Sequence, residues 1–178
     1  MLSLLNKDIF VCPKCKNNLA CDCGYKVEIK NNIIQLTDLP NMNINENEDD
    51  KYIGYEHIGT YYSGYDGTAV IKDYNKKVAK VIKEEVKAGL LLDLGCGDGL
   101  FAIPILMEGV EVIAGDISNN MMILYDKVKK LKLDSSLLTL VRMNAYDMPI
   151  KDNAVDAIIA NGMLHLNSNP EKIIKEIY

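Results

Sequence analysis

The sequence has no apolar run approaching the roughly 18 residues that a membrane-crossing helix needs. Its opening stretch, MLSLLNKDIF, is broken by Asn6, Lys7 and Asp8 before the apolar core of a leader can form. Nor is there an excess of positive charge. Twenty lysines and arginines face 25 aspartates and glutamates, a net charge of −5, which gives no general attraction to nucleic acid. Histidine is scarce, with two residues, so chemistry that titrates near neutrality has few candidates. We therefore expect a soluble, cytoplasmic protein with no membrane partner.

The chain is 178 residues long and 48% hydrophobic, which is enough to bury a core without disulfides. It is organised around LLLDLGCGDGLF, Leu90 to Phe101. The unbroken apolar run predicts a strand covered on both faces inside a parallel sheet. Gly95, Gly97 and Gly99 then let the backbone turn sharply and approach a ligand. A turn at the carboxyl end of such a strand is a ligand crevice, and the helix that follows aims its N-terminal amides into it. Dinucleotide folds use G-x-G-x-x-G, whereas the pattern here is Asp93-x-Gly95-x-Gly97-x-Gly99. An acid at Asp93 sits badly beside a pyrophosphate and suits a ligand with cationic groups, such as the ammonium and sulfonium of S-adenosylmethionine. Asp116, at the end of the next apolar stretch, can accept hydrogen bonds from ribose hydroxyls, a role that fits NAD equally well.

LLDLGCGDG, then GDIS, then MNAYDMPIKDNAVDAIIANGMLHL resemble the successive motifs of class I S-adenosylmethionine-dependent methyltransferases, over roughly Ala69 to Tyr178. The resemblance implies a Rossmann-like α/β fold, a parallel sheet with flanking helices. It implies a cofactor site formed by Asp93, Gly95, Cys96, Gly97, Gly99, Asp116, Ile117, Asn144, Ala145 and Asn161. Asn144 stands where the family usually has an acid that contacts the adenine amino group. The family's sheet continues past the helix at Pro170. The core therefore reads as truncated after its fourth strand, whose open edge offers a surface for self-association.

Four cysteines fall within twelve residues, Cys12, Cys15, Cys21 and Cys23. Clustering of this kind, without a secretion signal, argues for a metal over disulfides, and four thiolates would close the shell of a structural zinc. C-x-x-C is a regular knuckle. C-x-C is irregular, because it leaves one residue where two usually turn amides toward the sulfurs. The surrounding segment resembles the zinc ribbon that precedes some methyltransferase domains, including the large-subunit ribosomal RNA guanine methyltransferases. Tyr25 to Ile29 and Ile33 to Leu36 predict two short strands, making a small β unit of residues 1–36.

Residues 37–67 read as an Asn-rich, acidic linker followed by a flap with tyrosines at 52, 55, 61, 62 and 65. Tyr61 and Tyr62 could cover a cofactor or substrate, or simply pack the flap on the core. Residues 68–178 form the expected cofactor-binding core. A helix is predicted from Thr68 to Ala88 with Gly89 ending it, and others over Leu100 to Glu108, from Ser118 to about Leu131, and from Pro170 onward. At the end of the fourth strand, His165 is the one side chain in NGMLHL suited to general-base work, although a packed histidine would look the same. These features predict methyl transfer to a small molecule, with RNA as the other acceptor class. A cofactor-binding or interaction module without turnover is the alternative.

Overall fold

The computed structural model describes residues 8–37, 69–87, 89–118 and 121–178. Most of the expected linker and the flap with Tyr61 and Tyr62 lie outside the described residues. Six strands form one sheet: β1 (Glu28–Lys30), β2 (Ile33–Gln35), β3 (Leu90–Leu94), β4 (Glu111–Asp116), β5 (Leu138–Arg142) and β6 (Ala157–Ile159). Their order is β1-β2-β5-β4-β3-β6. The four strands of the expected core are parallel, with Leu92 beside Ile113 and Ile158, and Gly115 beside Val141.

The N-terminal hairpin, expected as a small unit of its own, continues this sheet. β1 pairs antiparallel with β2, and β2 pairs in parallel with β5, Ile34 beside Val141. Asn31 and Asn32 both take positive φ, 52° and 65°, which closes the two-residue turn.

Side chains alternate across the strands, so β3 feeds two cores. Leu91 joins Val112, Leu140, Ile105 and Leu124 on one face. Leu90, Leu92 and Leu94 join Ile113, Val141, Phe10, Ile34 and Ile173 on the other. The first face is covered by α1 (Ala69–Val86), α2 (Ala102–Met107) and α3 (Met121–Lys130), and the second by α4 (Pro170–Ile177) and the segment around Phe10. Among the described residues no helix is long and apolar enough to cross a membrane.

Several boundaries differ from expectation. The left-handed residue that stops α1 is Lys87, φ 54°, and not Gly89. Gly89 is small for another reason. A Cβ there would stand 2.5 Å from a carboxylate oxygen of Asp156, which accepts the Leu90 N–H at 2.7 Å and ties the approach to β6 against the start of β3. α2 begins at Ala102, two residues late, because Leu100 and Phe101 complete the glycine turn. α3 begins three residues after Ser118, whose N–H is committed to Asp116 at 2.8 Å. Asn169 caps α4 by accepting from the Lys172 N–H at 3.2 Å, with Pro170 as the first helical residue. Among the described residues β6 pairs with β3 alone, so its other side is a sheet edge.

Candidate cofactor site

The glycine turn is built by backbone bonds at the carboxyl end of β3. The Gly95 and Cys96 N–H groups both reach the Gly115 carbonyl, at 2.8 and 3.2 Å, and fold the chain over the end of β4. The Gly99 N–H returns to the Cys96 carbonyl at 2.9 Å. Gly95, Gly97 and Gly99 have φ of 75°, 51° and 89°, conformations that side chains disfavour. Asp98 forms an ion pair with Lys127 of α3 at 2.7 Å and fixes the outside of the turn.

Two buried acids meet under it. Asp116, the last residue of β4, accepts the Gly97 N–H on one oxygen and the Ser118 N–H on the other, both at 2.8 Å. Burial pushes its carboxyl up, while those bonds hold it back. Asp93 is 4% exposed, and its Oδ2 is buried with no hydrogen-bond partner among the described residues. Burial first, and then the charge of Asp116, push Asp93 up to about 7, against a backbone bond from Ala102 at the start of α2. An unpaired buried carboxylate oxygen is costly, and a cation is the chemical group that would satisfy it.

Beside the acids lies a cleft at the carboxyl ends of β3, β4 and β5. Of the expected residues, Gly95, Asp116, Ile117, Asn144 and Ala145 line it. The Ile117 carbonyl accepts the Arg142 Nε–H at 2.9 Å, and Asn144 Oδ1 accepts the Tyr146 N–H at 3.0 Å, so both are fixed in place. Leu94, Met143, Met163 and Asn167 complete the lining and were not expected. Two glycines carry their signal: a Cβ on Gly95 would lie 2.7 Å from Met163 Cβ, and one on Gly115 would lie 2.3 Å from Met143 Cε. The methionines occupy the space the glycines leave.

The remaining expected residues stand elsewhere. Gly97 and Gly99 shape the turn without lining the cleft. Cys96 is buried, and burial raises its thiol well above the usual range, so it is no nucleophile. Asn161 and His165 are exposed, and neither borders the cleft. The short 3₁₀ turn Leu164–Leu166 packs Leu164 against the core on α4's side and leaves His165 exposed.

At the other end of the chain, the Sγ atoms of Cys12, Cys15, Cys21 and Cys23 all lie within 4.8 Å of one another. Three pairs are at 3.2 to 3.5 Å. A tetrahedral zinc with Zn–S near 2.3 Å spaces its sulfurs about 3.8 Å apart, so the four residues fit such an ion. The irregular C-x-C half does not prevent this. Burial of Cys12 opposes its ionisation, yet the backbone amides of Cys15 and Lys14, helped by the neighbouring sulfurs, bring it down to about 7. Cys21 is pushed up to about 12, chiefly by the Cys23 sulfur beside it. Thiols crowded this closely cannot all ionise without a cation between them.

A parallel sheet with a glycine turn after its first core strand and an acid ending the next defines a Rossmann-like cofactor-binding fold. Residues 92–178, just under half of the chain, match the family model of the methyltransferase domain. An uncharacterised chloroplastic methyltransferase of Arabidopsis thaliana is 32% identical over 122 residues, 65% of this chain and 33% of the relative. A tRNA U34 carboxymethyltransferase of Vibrio cholerae is 33% identical over 86 residues, 48% of this chain and 26% of the relative. The chain thus spans a third or less of the length of these curated relatives. A solved structure from Methanococcus maripaludis, assigned provisionally to the S-adenosyl-L-methionine-dependent methyltransferases, superposes with a TM-score of 0.58 at 22% identity. It covers 75% of this chain and 60% of that one, and shows the shared fold.

Proposed function

We propose that this chain supplies the cofactor-binding core of an S-adenosylmethionine-dependent methyltransferase acting on a small-molecule or RNA acceptor. The observation that carries the reading is Asp93, a buried carboxylate with an oxygen that no donor among the described residues reaches, next to a glycine turn. A pyrophosphate there would add charge of the same sign, whereas the ammonium and sulfonium of S-adenosylmethionine supply the missing cation. In this reading Asp93 and the turn hold the methionine end, and Ile117, Asn144 and Ala145 face the adenine. Asp116 holds the ribose, because each carboxylate oxygen keeps a lone pair after its bond to a backbone amide.

The bound cofactor supplies a methyl carbon already attached to its leaving group. What the chain's residues contribute is alignment and exclusion of water. The cysteine cluster is read as a closed structural zinc site with no open position for chemistry. The acidic balance favours a small acceptor, while the tRNA-directed relative supports RNA. The open side of β6 is where a second copy would add. A module of the same fold without turnover is a second reading, favoured by one observation: among the described residues lining the cleft, Asp116 alone is titratable.

Calorimetry on the full chain tests the reading. S-adenosylmethionine should bind and NAD should not, and Asp116→Ala should weaken binding by roughly 1–3 kcal/mol. A folded chain that ignores S-adenosylmethionine, or prefers NAD, would overturn it. Release of S-adenosylhomocysteine in the presence of tRNA or small-molecule extracts then separates an enzyme from a silent module.

A further inference from the structure

We propose that the four-cysteine knuckle positions the turn Asn144 to Asp147 at the edge of the cofactor cleft, so that metal on the thiolates and cofactor in the cleft each tighten the other. The inference rests on the cofactor reading above. It comes from two sets of contacts between parts of the chain more than 120 residues apart in sequence.

The first set is backbone. The Val11 N–H donates to the Pro149 carbonyl at 3.0 Å, the Lys151 N–H donates to the Ile9 carbonyl at 2.9 Å, and Phe10 stands opposite Ile150 as an antiparallel bridge. The residues immediately before Cys12 are thereby fastened to the residues immediately after the turn. The second set is a charge pair. Lys16 directly follows Cys15 and has φ of 60°, and its N–H closes the cysteine turn on the Cys12 carbonyl at 2.9 Å. Its ammonium pairs with the Asp147 carboxylate. The Asp147 N–H in turn reaches the Asn144 carbonyl at 3.2 Å, and Asn144 and Ala145 line the cleft.

A half-exposed ion pair adds little stability alone. Its part here is orientation. Lys16 can hold Asp147 in one place only while the cysteine turn holds Lys16, and a metal on the thiolates fixes that turn. The backbone bridge keeps the two segments adjacent, and the pair sets how the turn faces the cleft. Lys16 and Asp147 are positioning residues in this account, since they act on the cofactor through Asn144 and Ala145. By linkage the effect is reciprocal, and cofactor must tighten metal by the factor that metal tightens cofactor.

The test uses the full chain loaded with zinc. The dissociation constant for S-adenosylmethionine is measured by calorimetry before and after chelation, with circular dichroism reporting the fold. Affinity should fall about 5-fold or more on chelation, and zinc affinity, from chelator competition, should rise by the same factor when S-adenosylmethionine is present. Lys16→Asp and Asp147→Lys should each weaken cofactor binding roughly 2- to 10-fold with zinc content unchanged. The double exchange K16D/D147K should restore it, which a merely structural loss would not do. Equal affinity with and without zinc in a folded chain, a chain that takes no zinc, or single variants that the exchange fails to rescue would overturn the coupling. If chelation unfolds the chain, the exchange decides. Zinc-loaded wild type that binds no S-adenosylmethionine would instead overturn the cofactor reading.

Discussion

Asp93 carries its own pH signature. The carboxyl of an unfolded chain ionises near 4, while in the fold burial and Asp116 lift Asp93 to about 7. Between those values the native state keeps a proton that the unfolded chain has lost, so this group's contribution to stability falls as pH rises from about 4 to 7. Asp116, also raised by burial, works in the same direction. Asp93→Asn removes the buried charge, and in urea unfolding its advantage over wild type should be greatest near pH 8 and shrink toward pH 5. An advantage that does not change with pH would show that Asp93 is not the group titrating. Cofactor affinity should move oppositely, rising in wild type by up to about tenfold per pH unit as pH approaches 7, and losing that dependence in Asp93→Asn. The glycines of the turn separate in the same way by surroundings. Gly97→Ala meets no atom of the described residues within 4 Å and pays only for its left-handed backbone, about 1–2 kcal/mol. Gly99→Ala would also press its Cβ to 2.4 Å from Leu124 Cδ1, adding roughly 1–3 kcal/mol of overpacking. Chemical denaturation should rank them in that order, and equal costs would mean that Leu124 moves aside.

Elements differ in how much of themselves a sequence displays. β3 and its turn were legible because a buried strand, an acid and three glycines are local signals that agree with one another. The hairpin strands were legible for the same reason, through their asparagine turn. Their partner was not, since the parallel pairing of β2 with β5 joins residues over 100 positions apart and depends on which faces of both strands are apolar. Gly89 shows a residue read correctly as special and for the wrong cause, because its reason is Asp156, 67 residues downstream. His165 was chosen by chemistry at a motif's end, but the packing of Leu164 decides where that 3₁₀ turn faces. The C-x-C spacing is irregular for a metal site in one dimension. Chain crossing supplies what spacing lacks, placing the Cys23 sulfur 3.5 Å from that of Cys12 and the Cys21 sulfur 3.3 Å from that of Cys15.

At the scale of the molecule, the second core joins what the sequence presents as two units. Ile9, Phe10, Ile34 and Leu36 from the N-terminal segment share it with Leu92, Leu94, Val141 and Ile173 from the methyltransferase domain. Phe10, Ile34 and Leu36 are each at most 2% exposed. Detaching the N-terminal segment would bare the β5 edge and part of the second face of the sheet, and each such side chain is worth about 1.5–3 kcal/mol of burial. The described parts should therefore unfold together. Far-UV circular dichroism, dominated by the helices, and tyrosine fluorescence, to which Tyr25 beside the hairpin contributes, should report one coincident thermal transition. On the zinc site proposed above, chelation should lower the midpoint of that whole transition, by about 2–4 °C for each kcal/mol the metal contributes, without splitting it. A separate early tyrosine transition after chelation would instead make the cysteine segment an independent unit, and the shared core a contact that the sheet can lose without unfolding.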